Sequence, residues 1–233
     1  METNIPNHVA LIPDGNRRWA KARGLQPWLE HKEGMSSFRE VMETAFEAGS
    51  KFATFWGASL DNLTKRTKIE VKFLLQYIRM ELEKQTTLDY FIKEKVRARV
   101  IGEWASVVSD KKFHQAINNL EEQTKIFKGR FATILFGYDG RREMLAAIEK
   151  LNSEGTKHLT EEAVREALWT GYLPPVDLVV RTGGEPHWSA GFMMWLTANS
   201  QFYFTETLWP DFRKKQLLEA YSDFANRGRR FGK

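Results

Sequence analysis

Three stretches of the 233-residue chain collect side chains suited to holding an anion. The first, Pro13-Asp14-Gly15-Asn16-Arg17-Arg18-Trp19, sets a carboxylate beside a flexible glycine and two guanidinium groups. Gly15 lets the backbone come close to a phosphate, the N–H groups of a following helix would point at it, and Asp14 could hold a divalent cation between them. Asp-Gly is also a common turn dipeptide, so this stretch taken alone reads rather as an ordinary capped turn. The second is Ser59-Leu60-Asp61-Asn62 followed by Lys65-Arg66. The third is Arg181-Thr182-Gly183-Gly184-Glu185, with His187 and Ser189 close behind, a glycine-rich loop that opens on a cation capable of bidentate contacts.

Each stretch follows a short apolar run. The runs His8–Ile12, Phe52–Ser59, Ala98–Trp104, Phe131–Tyr138, Val176–Arg181 and Phe202–Thr205 read as strands buried on both faces, which favours a parallel sheet. Between them lie helical repeats: Phe38, Val41, Met42, Ala45 and Phe46; then Val71, Leu74, Leu75, Ile78 and Leu82; then Met144, Ala147, Ile148 and Leu151. Gly49 closes the first repeat, Thr160-Glu161-Glu162 starts another helix, and a last one follows Pro210 through Leu217, Leu218, Tyr221 and Phe224. No linker or internal repeat interrupts the alternation. The expectation is one α/β domain over residues 1–233, with a mostly parallel sheet of about six strands flanked by helices and ligands beyond the carboxyl ends of the strands. Three anion-suited clusters on that edge point to a phosphate site.

Composition narrows the chemistry. Hydrophobic residues at 42% and charged residues at 28% fit a soluble globular protein and exclude disordered or fibrous classes. The absence of cysteine removes disulfides, thiol nucleophiles and cysteine-ligated metals. His8, His31, His114, His158 and His187 show no His-x-x-x-His pairing, and Ser59 and Ser189 lack the Gly-x-Ser-x-Gly setting of a hydrolase nucleophile. Both common nucleotide cradles, the P-loop and the Gly-x-Gly-x-x-Gly fingerprint, are missing. A net charge of +5 suits phosphate-bearing small molecules, nucleic acid and anionic membranes about equally. The chain shows neither a membrane-length apolar run nor the order of a signal peptide, so a cytoplasmic location is expected. Arg227, Arg229, Arg230 and Lys233 read, on composition, as a solvated tail. Trp56, Phe73 and Tyr77 fit either a core or the lining of an apolar tunnel.

In order along the chain, His8 to Ala20, His31-Lys32-Glu33-Gly34, Asp177 to Glu185, Leu208-Trp209-Pro210-Asp211-Phe212 and Arg229-Arg230-Phe231-Gly232 resemble the cis-prenyltransferases. The resemblance implies magnesium-assisted loss of diphosphate from an allylic diphosphate, attack by isopentenyl diphosphate and loss of a proton to form a cis double bond. It implies that Asp14 handles the magnesium and the leaving diphosphate, and that Gly15, Asn16, Arg17, Arg18 and Trp19 are its substrate-binding neighbours. His31 then lies near the allylic diphosphate and Asn62 is associated with proton removal, flanked by Ser59 and Asp61, with Arg66 following. Arg181 and Ser189 match two isopentenyl diphosphate contacts, with His187 beside them as a substrate-binding candidate, and Arg230 and Gly232 match a terminal Arg-x-Gly that reaches into a partner subunit of a homodimer. An apolar tunnel sets product length in such enzymes, with Phe73, Tyr77 and Met80 as candidate floor residues favouring a shorter product, and the hydrophobic product implies peripheral membrane contact.

Departures accompany the resemblance. Pro27 stands where an arginine is usual, Glu30 where a glycine is, and Leu63 where an aromatic follows the asparagine. His187 replaces an arginine, one extra residue lies between Ser189 and Phe192, and Gln201 takes the place of a metal-linked glutamate, which puts the magnesium requirement in question. A working transferase is expected. The alternative is a noncatalytic partner subunit of a heteromeric enzyme, and nucleic acid is not an expected partner.

Overall fold

The computed structural model describes residues 4–26 and 30–227, leaving aside the side chains of Glu30 and His31. Six strands form one sheet: β1 His8–Ile12, β2 Phe52–Ala58, β3 Val96–Ile101, β4 Arg130–Phe136, β5 Leu178–Arg181 and β6 Gln201–Phe204. Ten helices flank it: α1 Asn16–Ala22, α2 Glu30–Ala48, α3 Leu60–Lys65, α4 Lys68–Leu82, α5 Gln85–Lys93, α6 Trp104–Val107, α7 Lys111–Thr124, α8 Gly140–Ser153, α9 Glu161–Ala167 and α10 Lys214–Asn226, with a 3₁₀ turn at Trp209–Asp211. Every strand pair is parallel, in the order β3-β4-β2-β1-β5-β6. None of the described helices is long and apolar enough to cross a membrane.

Strand alternation sorts the core into two layers. Val9, Leu11, Leu178 and Val180 point to one face, where Val41, Met42, Ala45 and Phe46 of α2 meet Leu217, Tyr221 and Phe224 of α10. Ala10, Ile12 and Val179 point to the other, against Tyr138, Phe192, Met193 and Leu196. Because each central strand buries both faces, it is apolar throughout rather than alternating. Helix boundaries follow local chemistry: Thr67, Asp110, Asp139 and Thr160 each cap the amino end of a helix, and Gly49, in a left-handed conformation, ends α2.

The chain leaves β1 toward β2 on one side and returns to β5 on the other, so the strand order reverses at β1. A crevice opens there beyond the carboxyl ends of the strands, the usual place for a ligand in an open α/β sheet. At the opposite end His8 is fully buried, with Nδ1 2.9 Å from the Pro174 carbonyl and Nε2 2.8 Å from Thr54 Oγ1. A carbonyl only accepts, so Nδ1 carries the proton and Nε2 accepts from the hydroxyl. Burial lowers the His8 pKa from 6.5 to about 4, although the Pro174 carbonyl opposes the shift.

The folded state therefore holds His8 neutral while the unfolded chain takes up a proton below pH 6.5. His8 costs the fold nothing above that pH, and stability falls as the pH drops from 6.5 toward 4, by up to about 3 kcal/mol. Urea unfolding across this range should show the slope, and His8→Gln should flatten it while lowering stability at neutral pH.

Candidate active site

The crevice is a basin of about 990 Å³. Its centre is an ion pair: Arg181 Nη2 lies 3.0 Å from Asp14 Oδ2. The β1/β5 register produces it, since Ile12 pairs with Arg181 and Asp14 follows two residues later. Thr182 fixes the backbone between them, its hydroxyl accepting from the Asp14 N–H and donating to the Asp14 carbonyl, both at 2.8 Å. Asp14 Oδ1 accepts from the Gly15 N–H at 2.5 Å and from Arg18 Nη2 at 3.3 Å. Gly15 has φ +104°, and a Cβ there would sit 2.7 Å from Leu208 Cδ2, so only glycine fits.

Arg181 is 5% exposed and organises a second loop. Its Nη1 donates to the His187 carbonyl at 3.0 Å and to Ser189 Oγ. Gly183 and Gly184 start that loop in left-handed conformations, and Ala190, Gly191 and Met193 repeat them near its end. A buried network holds the far side. The Met193 N–H donates to the Tyr138 hydroxyl at 3.1 Å, which donates to Glu143, and Glu143 also accepts from the Thr170 N–H and hydroxyl at 2.8 Å each. Burial raises the Glu143 pKa, while its three donors work the other way.

On the β2 side, a register shift at Gly57 precedes Ser59, which caps α3. Ser59 Oγ accepts from the Asn62 N–H and Asn62 Oδ1 accepts from the Ser59 N–H, a pairing that does not use the donors of the Asn62 NH₂ group. Asp61 pairs with Lys65 at 2.8 Å.

The structure thus gathers Asp14, Gly15, Asn16, Arg17, Arg18, Ser59, Asp61, Asn62, Arg66, Arg181 and Ser189 around one basin, as the sequence implies. Trp19 does not line it: the ring is buried against the 3₁₀ turn, with Nε1 donating to Asp211 at 2.8 Å and Arg23 stacked over it at 4.2 Å. His187 does not line the basin but sits beside two residues that do, 3.0 Å from Ser189 Oγ and 3.5 Å from Glu185, with its side chain exposed. Gln201 begins β6 opposite Leu178, at the amino end of the sheet, so one chain does not bring it to Asp14. His31 lies in the first turn of α2 with its side chain outside the described residues, as are Pro27, Arg230 and Gly232.

Asp139, Arg142 and Lys21 line the basin beyond the residues that the sequence points to, and Glu185 of the third stretch joins them. Asp139-Gly140-Arg141-Arg142 follows β4 as Asp14-Gly15-Asn16-Arg17-Arg18 follows β1, and that shared pattern was the available signal. Arg142 is held by a two-point pair with Glu103. Among the described residues, six cationic and four anionic side chains line the basin, an excess suited to an anionic ligand.

Pro13, Asn16, Trp56, Gly57 and Leu74 line both the basin and a second cavity of about 140 Å³ beneath the sheet. This one is apolar, walled by α2, α4, α5, α7 and strands β2 to β4. Tyr77 lines it; Phe73 is absent from its lining and Met80 is exposed, so of the three residues expected at its floor only Tyr77 reaches the cavity. Relative to Leu74, at 100° per residue, Phe73 and Met80 sit about 100–120° around the helix, off the cavity face.

Among known proteins, a family model described as "Putative undecaprenyl diphosphate synthase" matches residues 12–232. The chain is 36% identical to an isoprenyl transferase of Treponema denticola over 97% of this chain and 96% of that protein. It is 38% identical to an isoprenyl transferase of Thermotoga maritima over 98% and 97%. Its fold is similar to the crystal structure of lavandulyl diphosphate synthase from Lavandula x intermedia in complex with dimethylallyl diphosphate, with a TM-score of 0.91, 29% identity and 98% of each chain covered.

Thr182→Val keeps the side-chain shape but strips the Asp14 N–H of the Thr182 hydroxyl as acceptor and leaves the Asp14 carbonyl to the Trp209 N–H. It is expected to cost about 2–3 kcal/mol, read as a lower urea midpoint with unchanged slope.

Proposed function

The chain belongs to the cis-prenyltransferase family, and from that premise we propose that it condenses isopentenyl diphosphate with an allylic diphosphate. The carbon–oxygen bond of the allylic diphosphate breaks, diphosphate leaves, the terminal alkene carbon of isopentenyl diphosphate bonds to the freed carbon, and a proton is lost as a cis double bond forms. The observation that carries this reading is the continuity of a cationic basin with an apolar cavity, one holding diphosphate and the other hydrocarbon.

Arg17, Arg18, Arg66 and Arg181 bind diphosphate oxygens, and the Asn62 NH₂ group orients one of them. Having no basic atom free, Asn62 assists proton removal by positioning the group that accepts it. Ser189 and Arg181, already joined, make the isopentenyl diphosphate contact, with His187 beside them.

Magnesium fits the donor set in one form. Among the described residues, no three acidic or histidine side chains cluster as an all-protein cage. Among the described residues Asp14 Oδ2 accepts from Arg181 alone, and Asp14 lines the basin, which suits a cation shared between one carboxylate and substrate phosphates. Bound there, magnesium would neutralise charge building on the leaving diphosphate. Gln201 belongs to no such set within one chain. The proposal extends to one catalytic domain over residues 1–233, a homodimer completed by Arg230 and Gly232, and a cytoplasmic protein touching membranes peripherally. No observation favours the noncatalytic partner subunit.

Purified protein is to be given isopentenyl diphosphate with dimethylallyl, geranyl or farnesyl diphosphate, in magnesium or in EDTA. Elongated product is expected only with magnesium, and Asp14→Ala should lower its rate roughly 100- to 1000-fold. Product in EDTA would remove the metal role, and no product under any condition would favour the partner-subunit reading.

A further inference from the structure

Two helices give the apolar cavity facing stripes: Met35, Phe38, Arg39 and Met42 from α2, and Leu74, Tyr77, Ile78, Glu81 and Leu82 from α4. Each stripe is apolar except at one position. Arg39 and Glu81 are, among the described residues, the only charged side chains lining the cavity, and they are opposite in sign. Arg39 Nη1 lies 3.7 Å from Glu81 Oε1. The pair is anchored from α2, from the turn between α4 and α5, and from α5: Arg39 Nε donates to Glu43 at 2.9 Å, Lys84 Nζ bonds Glu81 Oε2, and Thr87 Oγ1 donates to Glu81 Oε1 at 3.1 Å. Thr87 is itself buried and the Glu81 side chain is only 15% exposed. Two turns of α4, roughly 10 Å, separate Glu81 from Leu74, where the cavity joins the basin.

We propose that the Arg39–Glu81 pair is the stop of this cavity and sets the length of hydrocarbon that it accepts. The inference rests on the reading of the chain as an isoprenyl transferase and assigns the determinant of its product length. Burial of each further methylene favours growth only while the wall is apolar. At the pair, an arriving chain must displace charges from their partners or leave them facing hydrocarbon, and growth ends.

The test replaces both charges together, Arg39→Leu with Glu81→Leu, so that neither is left alone. Isopentenyl diphosphate incorporation and product length by mass spectrometry are read side by side. The main product should lengthen by at least one five-carbon unit, and incorporation into an unchanged length distribution would overturn the stop. A second arm needs no turnover: binding of geranyl, farnesyl and geranylgeranyl diphosphates in equilibrium. Wild-type affinity should level off along this series, while the double variant should gain at least tenfold over it. Parallel series would overturn the proposal. A wild type that incorporates nothing would count against the transferase reading, while the binding series still decides the stop. If the double variant fails to fold, Glu81→Gln keeps the volume, removes the charge and should shift both readouts the same way by less; no shift would overturn it.

Discussion

The Asp14–Arg181 pair is the contact on which the site depends. It forms where the strand order reverses, and each partner extends into a separate loop. Through Asp14 it fixes the start of α1, and through its other nitrogen Arg181 fixes the loop bearing Ser189. A cation that is 5% exposed needs a carboxylate nearby, and that carboxylate is the one that faces the basin. The left-handed glycines, the Thr182 hydroxyl and the Glu143–Tyr138 network all serve to keep this one geometry.

The sheet divides the remaining labour by its two ends. Its amino end is closed by buried, satisfied groups such as His8, and its carboxyl end is left to loops carrying charge. Helices α2 and α4 then add what a sheet edge lacks, a deep apolar space under the strands.

Much of this was legible in the residues. The β1 limits, the α2, α4, α8 and α10 stripes and the Thr160 cap emerge as read, because both-face burial and helical spacing leave direct marks on sequence. β3 begins two residues before its expected start and ends at Ile101, since the backbone turns at Gly102, φ +134°, and Trp104 opens a helix despite its apolar character. α7 went unread although Phe113, Ala116, Ile117 and Leu120 carry its period. In the site, residues next to the strand ends were legible, whereas Trp19 was not, because its commitment to Asp211 depends on a turn about 190 residues away. The place of Gln201 was not legible for a related reason: motif order does not say at which end of a strand a residue lies, and within one chain Gln201 starts β6 at the end of the sheet away from Asp14.

The shared wall between basin and cavity has a practical consequence. Among the described residues, Trp56 Nε1 and Asn16 Oδ1 are buried there without partners, at a boundary that is polar and cationic on one side and apolar on the other. A compartment of this shape selects for surfactant character before it selects for any particular molecule. Alkyl sulfates and other single-tailed anionic detergents carry the same division between head and tail, so the solubilising agent chosen for handling the protein is itself a competitor for its site.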